Sequence, residues 1–376
     1  MSAGPSRLVF IDVLKAVASQ LIVLHHLAFY GPMSDAAQEL LPGLIGWLSE
    51  YARIAVQVFL VVGGFLAVRA LAPQGQLLTR QPVAMLARRY LRLVPPFLLA
   101  MAIAIICAYV ARGWMEHDSI PGQPAALQVL AHVFLLHNIL DFDALSAGVW
   151  YIAIDFQLFA LLVGLLWLGR LGRESIPAMA GGRSRGVHSL GMLLVFSLVL
   201  ASLFHFNRDA SWDIWAVYFF GAYGMGVMAY WASEKGQSPI WLAIIASVAL
   251  GALLLDFRLR IGVAVTVALA LGLARRGDWM GYWPKRLPGR EVVLFLSRVS
   301  YSVFLVHFPI CLLVNGAFDH FVPAEPAWHL MGMVLAWVTS LAAGTVFHFY
   351  VETREWRLPT PVFGLLRRTV KAESSA

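Results

Sequence analysis

A stripe of polar side chains interrupts the first long apolar segment of the chain. The segment reads LVFIDVLKAVASQLIVLHHLAFY over residues 8–30 and carries Asp12, Lys15, Ser19 and His26. At about 100° per residue these four lie on one face of a helix, with Lys15 and His26 three turns apart. Lipid does not tolerate such a face, so we expect it to contact protein or a watery cavity, where ionisable groups mark a functional site. A histidine there could act as a general base, and a lysine could bind an anionic ligand.

Other apolar segments carry groups that could complete such a site. The run AGVWYIAIDFQLFALL places Asp155 at roughly the depth of His26, where a carboxylate could orient a basic histidine. The run ARRYLRLVPPFLLA begins with three arginines that could bind phosphates through forked hydrogen bonds, namely Arg88, Arg89 and Arg92. The remaining candidates are Asp12, His25, Trp150, Gln157, Tyr301, His307 and Glu352. Packing, structural hydrogen bonds and anchoring at the membrane edge are the simpler explanations for these groups.

Composition restricts the class of protein that can hold these residues. Of 376 residues, 60% are hydrophobic and only 13% charged, which is typical of an integral membrane protein with many spans. The only two cysteines, Cys107 and Cys311, lie in apolar runs and predict neither a disulfide framework nor a zinc site, and we expect no metal. The net charge of +7 is better explained by basic cytoplasmic loops than by nucleic-acid binding.

Hydropathy predicts an all-α, polytopic membrane helix bundle with ten transmembrane helices. The predicted spans are 8–30, 53–72, 89–111, 149–169, 189–206, 212–232, 239–256, 260–275, 292–316 and 328–351. The shorter run 126–140 contains His132, His137 and Asn138, and a full crossing there would put all later basic loops outside. We therefore predict a re-entrant or half-buried segment at 126–140 and both termini in the cytoplasm. Residues 1–357 form one transmembrane domain, followed by a cytoplasmic tail at 358–376.

Six segments, in order along nearly the whole chain, resemble the integral membrane acyltransferase family called acyltransferase type 3. They are Asp12–x2–Lys15–x10–His26, FLVVGGFL at 59–66, RRYLRLVP at 88–95, VWYIAIDFQLF at 149–159, SYSVFLVHFP at 300–309 and YVE at 350–352. The chain departs from the family pattern at three places. Gly63 stands where the family usually has Ser, Asp155 where it usually has Glu, and Thr353–Arg354 where Glu-x-Pro is common.

The resemblance implies an enzyme of a bacterial inner membrane that uses acyl-CoA, most often acetyl-CoA, as co-substrate. It implies transfer of the acyl group from the cytoplasmic side to a hydroxyl of a glycan, a lipid-linked sugar or another acceptor outside. His26 is then the expected general base or a transient acyl-imidazole, with Asp155 as its orienter. Lys15 and the arginines at 88, 89 and 92 are expected to hold the CoA phosphates.

Two other classes of function remain open from the sequence. Buried Asp, Lys and His also form proton relays in transporters and flippases, although no internal repeat is visible in this chain. Alternatively, the polar residues could only hold helices together in a sensing or assembly subunit. Release of free CoA from a thioester would distinguish the enzyme from both.

Overall fold

The computed structural model describes residues 7–174, 189–284 and 288–354, and all regular structure in these ranges is helical. Short 3-10 turns occur at Ala52–Ala55, Phe206–Arg208 and Ala210–Trp212, and a π-helical turn lies at His348–Glu352. The α-helices, numbered along the chain, are α1 Val9–Phe29, α2 Pro32–Ala37, α3 Pro42–Tyr51, α4 Val56–Leu71, α5 Pro82–Ala111, α6 Ala126–Val133, α7 Val149–Glu174, α8 Ser189–Phe204, α9 Ala216–Ala232, α10 Ile240–Leu255, α11 Leu259–Arg276, α12 Arg290–Phe321 and α13 Pro326–Phe347.

A helix occurs at each of the ten predicted spans, which confirms the all-α class. In the described ranges, seven helical stretches are long and apolar enough to cross a membrane, and α10 is a shorter apolar helix. Helices α9 and α11 have 17 and 18 residues, and α11 carries arginines at both ends. The predicted tail 358–376 and most of the basic loop before α8 lie outside the described residues.

The segment 126–140 does not cross the bundle. Helix α6 has eight residues, about 12 Å of rise, whereas the hydrocarbon core of a membrane is about 30 Å thick. The chain then turns at Leu135, a buried residue with a left-handed φ of 59°. This confirms the prediction of a half-buried segment.

Two helices organise the packing of the bundle. Helix α12 contacts α1, α5 and α13, whereas α9 contacts α4, α8 and α11. Helix α7 joins the two groups through contacts with α5 and α9. Polar residues of α1 and α5 that point at α12 or α7 therefore meet near the centre of the molecule.

Contacts between the loops that connect the helices agree with ten crossings. Every pair of loops in contact is a pair that ten crossings place on the same side of the membrane. On the face where α1 ends, contacting pairs are Asp35 with His117, Asn207 with Arg258, and Trp114 with Phe321. On the face where α1 begins, they are Phe10 with Met280, Lys235 with Asp278, and Thr79 with Arg170.

Candidate active site

The polar stripe of α1 lies against α12, as expected of a face that avoids lipid. Near the start of α1, the Ser297 hydroxyl donates to Asp12 Oδ1 over 2.6 Å, and Lys15 Nζ donates to the Ser297 carbonyl over 3.2 Å. Asp12 also forms an ion pair with Arg7 at 2.8 Å. Both ionisable residues therefore bind α12, and this part of the stripe holds the two helices together. Ser19 hydrogen-bonds within its own helix, to the carbonyl of Ala16.

Near the other end of α1, His26 forms a pair with His307 of α12. His26 Nδ1 lies 2.5 Å from His307 Nε2, and both side chains are buried. The ring planes are within 8° of parallel, with centroids 4.8 Å apart. His307 Nδ1 in turn lies 2.7 Å from the carbonyl oxygen of Phe304.

For two neutral rings, these contacts assign one tautomer to each histidine. A carbonyl oxygen only accepts hydrogen bonds, so His307 Nδ1 carries the proton and His307 Nε2 is an acceptor. His26 Nδ1 must then be the donor between the rings, which leaves the lone pair of His26 Nε2 free. His26 is thus oriented as a base by a second imidazole that is itself anchored on the backbone.

Gly148 allows the start of α7 to pack closely against His26. Gly148, just before α7, has a left-handed φ of 77°, and a Cβ there would lie 2.9 Å from Phe304 and 3.6 Å from His26 Cε1. The neighbouring His25 faces elsewhere, with Nδ1 3.0 Å from the Leu48 carbonyl of α3. His25 is therefore a packing residue, and of these two adjacent histidines only His26 belongs to the pair.

Asp155 does not orient His26, so that part of the prediction was wrong. Its Oδ2 accepts a 2.5 Å hydrogen bond from Arg89 of α5, and both side chains are largely withdrawn from solvent. Gly148 lies beside His26, and Asp155 follows seven residues later, which places it about 10 Å deeper along α7.

Tyrosines that the sequence analysis missed surround this ion pair. Tyr151 and Tyr223 lie within electrostatic range of both Asp155 and Arg89. Gly63 of α4 completes the enclosure, because a Cβ there would lie 3.4 Å from the Tyr223 ring and 3.8 Å from Asp155 Oδ1. The only sequence signal for Tyr223 was its position in YGMG, within an otherwise apolar helix.

Tyr301 and Glu352 lie on the side of this ion pair that faces Lys15. The Tyr301 hydroxyl donates to the Leu93 carbonyl over 2.9 Å, in the part of α5 where Pro95 and Pro96 cannot donate. Glu352 accepts hydrogen bonds from Ser302 at 2.5 Å and His348 at 2.9 Å, and it acts electrostatically on Lys15.

The three arginines of α5 have different environments. Arg89 is engaged by Asp155, and its guanidinium lies 5.3 Å from the centre of the Phe159 ring. Arg88 and Arg92 are exposed, are one turn apart, and form no salt bridge within the part of the chain that the structure describes. Two of the three predicted cations are therefore available to an anionic ligand.

Trp150 and Gln157 have structural contacts. Trp150 stacks on Phe219 of α9 with ring centroids 5.6 Å apart. Gln157 Nε2 donates to the carbonyl of Leu135 over 3.3 Å, and so attaches the half-buried segment to α7. Among the described residues, no group of three or more potential ligands could hold a metal ion.

Comparison with known proteins gives one family and one distant relative. A family model described as an acyltransferase domain matches residues 8–351. A protein named regulator of hypoxia-inducible factor 1, from Caenorhabditis elegans, is 25% identical over 193 residues, which covers 46% of this chain and 37% of that protein. The aligned part is thus little more than a third of the relative's length. No solved structure matches the chain.

Proposed function

This chain belongs to the acyltransferase family whose model spans residues 8–351, and from that premise we propose a membrane O-acyltransferase that uses acyl-CoA. The acyl group, most simply acetyl, is transferred to a hydroxyl of a glycan or lipid-linked acceptor on the outer side of the membrane. The observation that carries the proposal is the buried His26–His307 pair, in which His26 Nε2 forms no hydrogen bond within the described structure.

His26 is the base of the proposed reaction. It removes the proton of the acceptor hydroxyl while that oxygen attacks the thioester carbonyl carbon. The tetrahedral intermediate then loses CoA thiolate, which takes the proton back from the His26 imidazolium. In the alternative route, His26 Nε2 attacks the thioester carbonyl carbon and CoA leaves as the thiolate. The acceptor hydroxyl then attacks the acyl-imidazole, its proton passes to the thiolate, and the ester, CoA thiol and free imidazole result. In both routes, His307 Nε2 accepts a hydrogen bond from His26 Nδ1 and so stabilises the positive charge on the His26 ring.

The phosphates of the donor bind near the start of α1 in this proposal. Lys15 is half-buried and within electrostatic range of Arg92, and Arg88 lies one turn from Arg92 on the same helix. Lys15 precedes His26 by eleven residues, so the phosphate site and the base are about 16 Å apart along α1. The pantetheine arm spans this interval past Tyr301 and the Arg89–Asp155 pair. Arg89 holds Asp155 in place through their ion pair, and it does not bind the phosphates.

The positive-inside rule supports a donor site on the cytoplasmic side. Arg80, Arg88 and Arg92 precede or open α5 on that side, and Arg275, Arg276 and Arg290 flank the last connection on the same face. The His26–His307 pair then lies toward the outer side, where the acceptor approaches. Both termini are cytoplasmic in this arrangement, and a bacterial inner membrane is the proposed location.

The test is acyl transfer and thioester cleavage by the purified protein in lipid nanodiscs. His26→Ala should lower both rates by about 10²–10⁴-fold, the usual contribution of a positioned base. His25→Gln is the matched control, because it alters the adjacent histidine and retains a donor for the Leu48 carbonyl. Full activity of His26→Ala would contradict the assignment, and an absence of thioester cleavage in the wild type would contradict the enzyme itself.

A further inference from the structure

A pocket at the far end of α5 has no part in the reaction as described above. Its wall on α5 is formed by Ile105, Ala108, Tyr109 and Arg112. The opposite wall is the loop 121–124, which reads PGQP, and Leu145 closes the back. In the proposed orientation this pocket lies at the outer surface of the membrane, on the side of the acceptor.

The pocket combines a lipid-facing side with an available positive charge. Tyr109 is 76% exposed, and the adjacent Ile106 is 63% exposed, as expected of side chains that face lipid. Arg112 donates from Nη2 to the Pro121 carbonyl over 2.7 Å and forms no salt bridge among the described residues. Most of its five donors therefore remain free for an anion, for which the fork of a guanidinium is well suited.

A chain of packed side chains connects the pocket wall to His26. Ala108 packs in the same apolar cluster as Phe308 and Tyr30. The Tyr30 ring centroid lies 5.2 Å from that of Phe308 and 5.4 Å from that of His26. Along the other wall, Leu145 precedes Gly148 by three residues, at most about 11 Å of chain, and Gly148 abuts His26.

We propose that this pocket binds the phosphate headgroup of a lipid-linked acceptor. The phosphate binds Arg112, the apolar tail lies in the membrane along Ile105 and Tyr109, and the accepting hydroxyl passes over residues 145–148 toward His26 Nε2. A lipid anchor fits an opening that faces the bilayer, whereas a free glycan would enter from water. The inference rests on the proposed transferase function and names the class of its acceptor.

The experiment uses the full chain in phosphatidylcholine nanodiscs doped with a polyprenyl monophosphate, with retained lipid measured by native mass spectrometry. Arg112→Gln should lower polyprenyl phosphate retention by about tenfold, the loss expected for one charge-assisted hydrogen bond. Arg112→Lys should retain part of the binding. Arg208→Gln is the control, since Arg208 is an arginine on the same face that does not line the pocket.

A second variant tests the pocket without removing any contact of Arg112. A Cβ on Gly122 would have no heavy atom within 4 Å, so the larger side chain of Gly122→Trp has space to enter the pocket. It should block lipid retention and leave CoA release by thioester hydrolysis unchanged, because the donor site is at the other end of α1. Wild-type retention in both Arg112→Gln and Gly122→Trp would overturn the inference, as would equal retention of phosphatidylcholine and polyprenyl phosphate. The proposed function would still stand if the wild type cleaves the thioester.

Discussion

At the scale of single residues, the candidate base is held by an imidazole where a carboxylate is more usual. His307 Nε2 accepts a hydrogen bond from His26, and His307 Nδ1 donates one to the Phe304 carbonyl. The chain of hydrogen bonds therefore ends on uncharged backbone. A neutral anchor costs less to bury in a bundle than a carboxylate does. Because His307 orients His26, Asp155 of α7 is available to form its ion pair with Arg89 of α5.

We predict that His307→Ala lowers acyl transfer by about 10²-fold with little change in the KM for acyl-CoA. The variant loses the hydrogen-bond acceptor that orients His26, whereas the proposed site for the donor phosphates lies near Lys15 and Arg92. Steady-state kinetics with acyl-CoA and a soluble acceptor would measure both constants. Ser340→Ala is a suitable control, because Ser340 contacts the His307 carbonyl and not the ring. Equal rates for His307→Ala and Ser340→Ala would show that the imidazole has no role.

Sequence alone predicted the stripe of α1 but not the partner of Asp155. The stripe follows from the helical repeat within one segment, so Lys15 and His26 were correctly placed on one face. Which residues of two different helices meet depends on how far one helix is shifted along the other. That shift cannot be read from the sequence around either residue. Helix α5 begins at Pro82, seven residues before the predicted span, so Arg89 lies two turns inside the helix and reaches Asp155.

At the scale of helices, close packing between α4 and α9 depends on glycine. A Cβ on Gly64 would collide with the carbonyl oxygen of Tyr223, and a Cβ on Gly226 would collide with that of Val61. Small residues at such crossings allow two backbones to approach, which is a common way for membrane helices to associate. The approach also positions Tyr223 beside Asp155.

Gly64→Ala should therefore destabilise the protein, with a loss of about 1–3 kcal/mol typical of overpacking. Gly164→Ala in α7 is the control, because a Cβ there has no heavy atom within 4 Å and alanine favours a helix. Thermal unfolding in detergent would compare the two, with a lower Tm expected for Gly64→Ala only. Gly63→Ser should be tolerated, since its Cβ would make only ordinary contacts. A Tm for Gly64→Ala equal to that of the wild type would contradict the packing described here.

The half-buried segment after α6 contains a histidine that is poorly satisfied. The rings of His132 and His137 stack with centroids 4.1 Å apart, and both ring nitrogens of His137 are buried without a hydrogen-bond partner in the described structure. In contrast, His132 Nε2 accepts a hydrogen bond from the Leu145 N–H, and His132 Nδ1 donates one to the Gln128 carbonyl. Hydropathy located this segment, but its turn at Leu135 was not predictable, because leucine rarely adopts positive φ and only tertiary contacts hold it there.

Stability should rise with pH between about 3 and 6.5 because of this histidine. Burial lowers the pKa of His137 from its ordinary 6.5 to about 3, so over that range the unfolded chain binds a proton that the folded chain does not. His137→Leu should remove this dependence and leave stability at neutral pH unchanged or higher, since no hydrogen bond is lost. His132→Leu should destabilise at all pH values. Tm measured against pH for the two variants would test this, and an unchanged pH slope in His137→Leu would contradict it.

At the scale of the whole molecule, the connections sort into two faces, and this arrangement can be tested directly. Both native cysteines are buried, so they should not react with a membrane-impermeant maleimide. In the proposed orientation, the exposed position of Gly43→Cys lies on the outer face and should be labelled in intact cells. Lys235 is exposed on the opposite face of the molecule, so Lys235→Cys should be labelled only after permeabilisation. The reverse pattern would invert the orientation, and labelling of both in intact cells would contradict ten crossings.

The contact between α1 and α12 also has a consequence for biosynthesis. Asp12, Lys15 and His26 leave the ribosome well before their partners on α12, which follow 281 to 285 residues later. At about 5–20 residues per second, α1 spends roughly 15–60 s in or near the membrane before those partners are made. During that time three polar side chains face the insertion machinery or lipid without their final ligands. Helix α1 is therefore completed long after it is made, and the site forms only when α12 is inserted beside it.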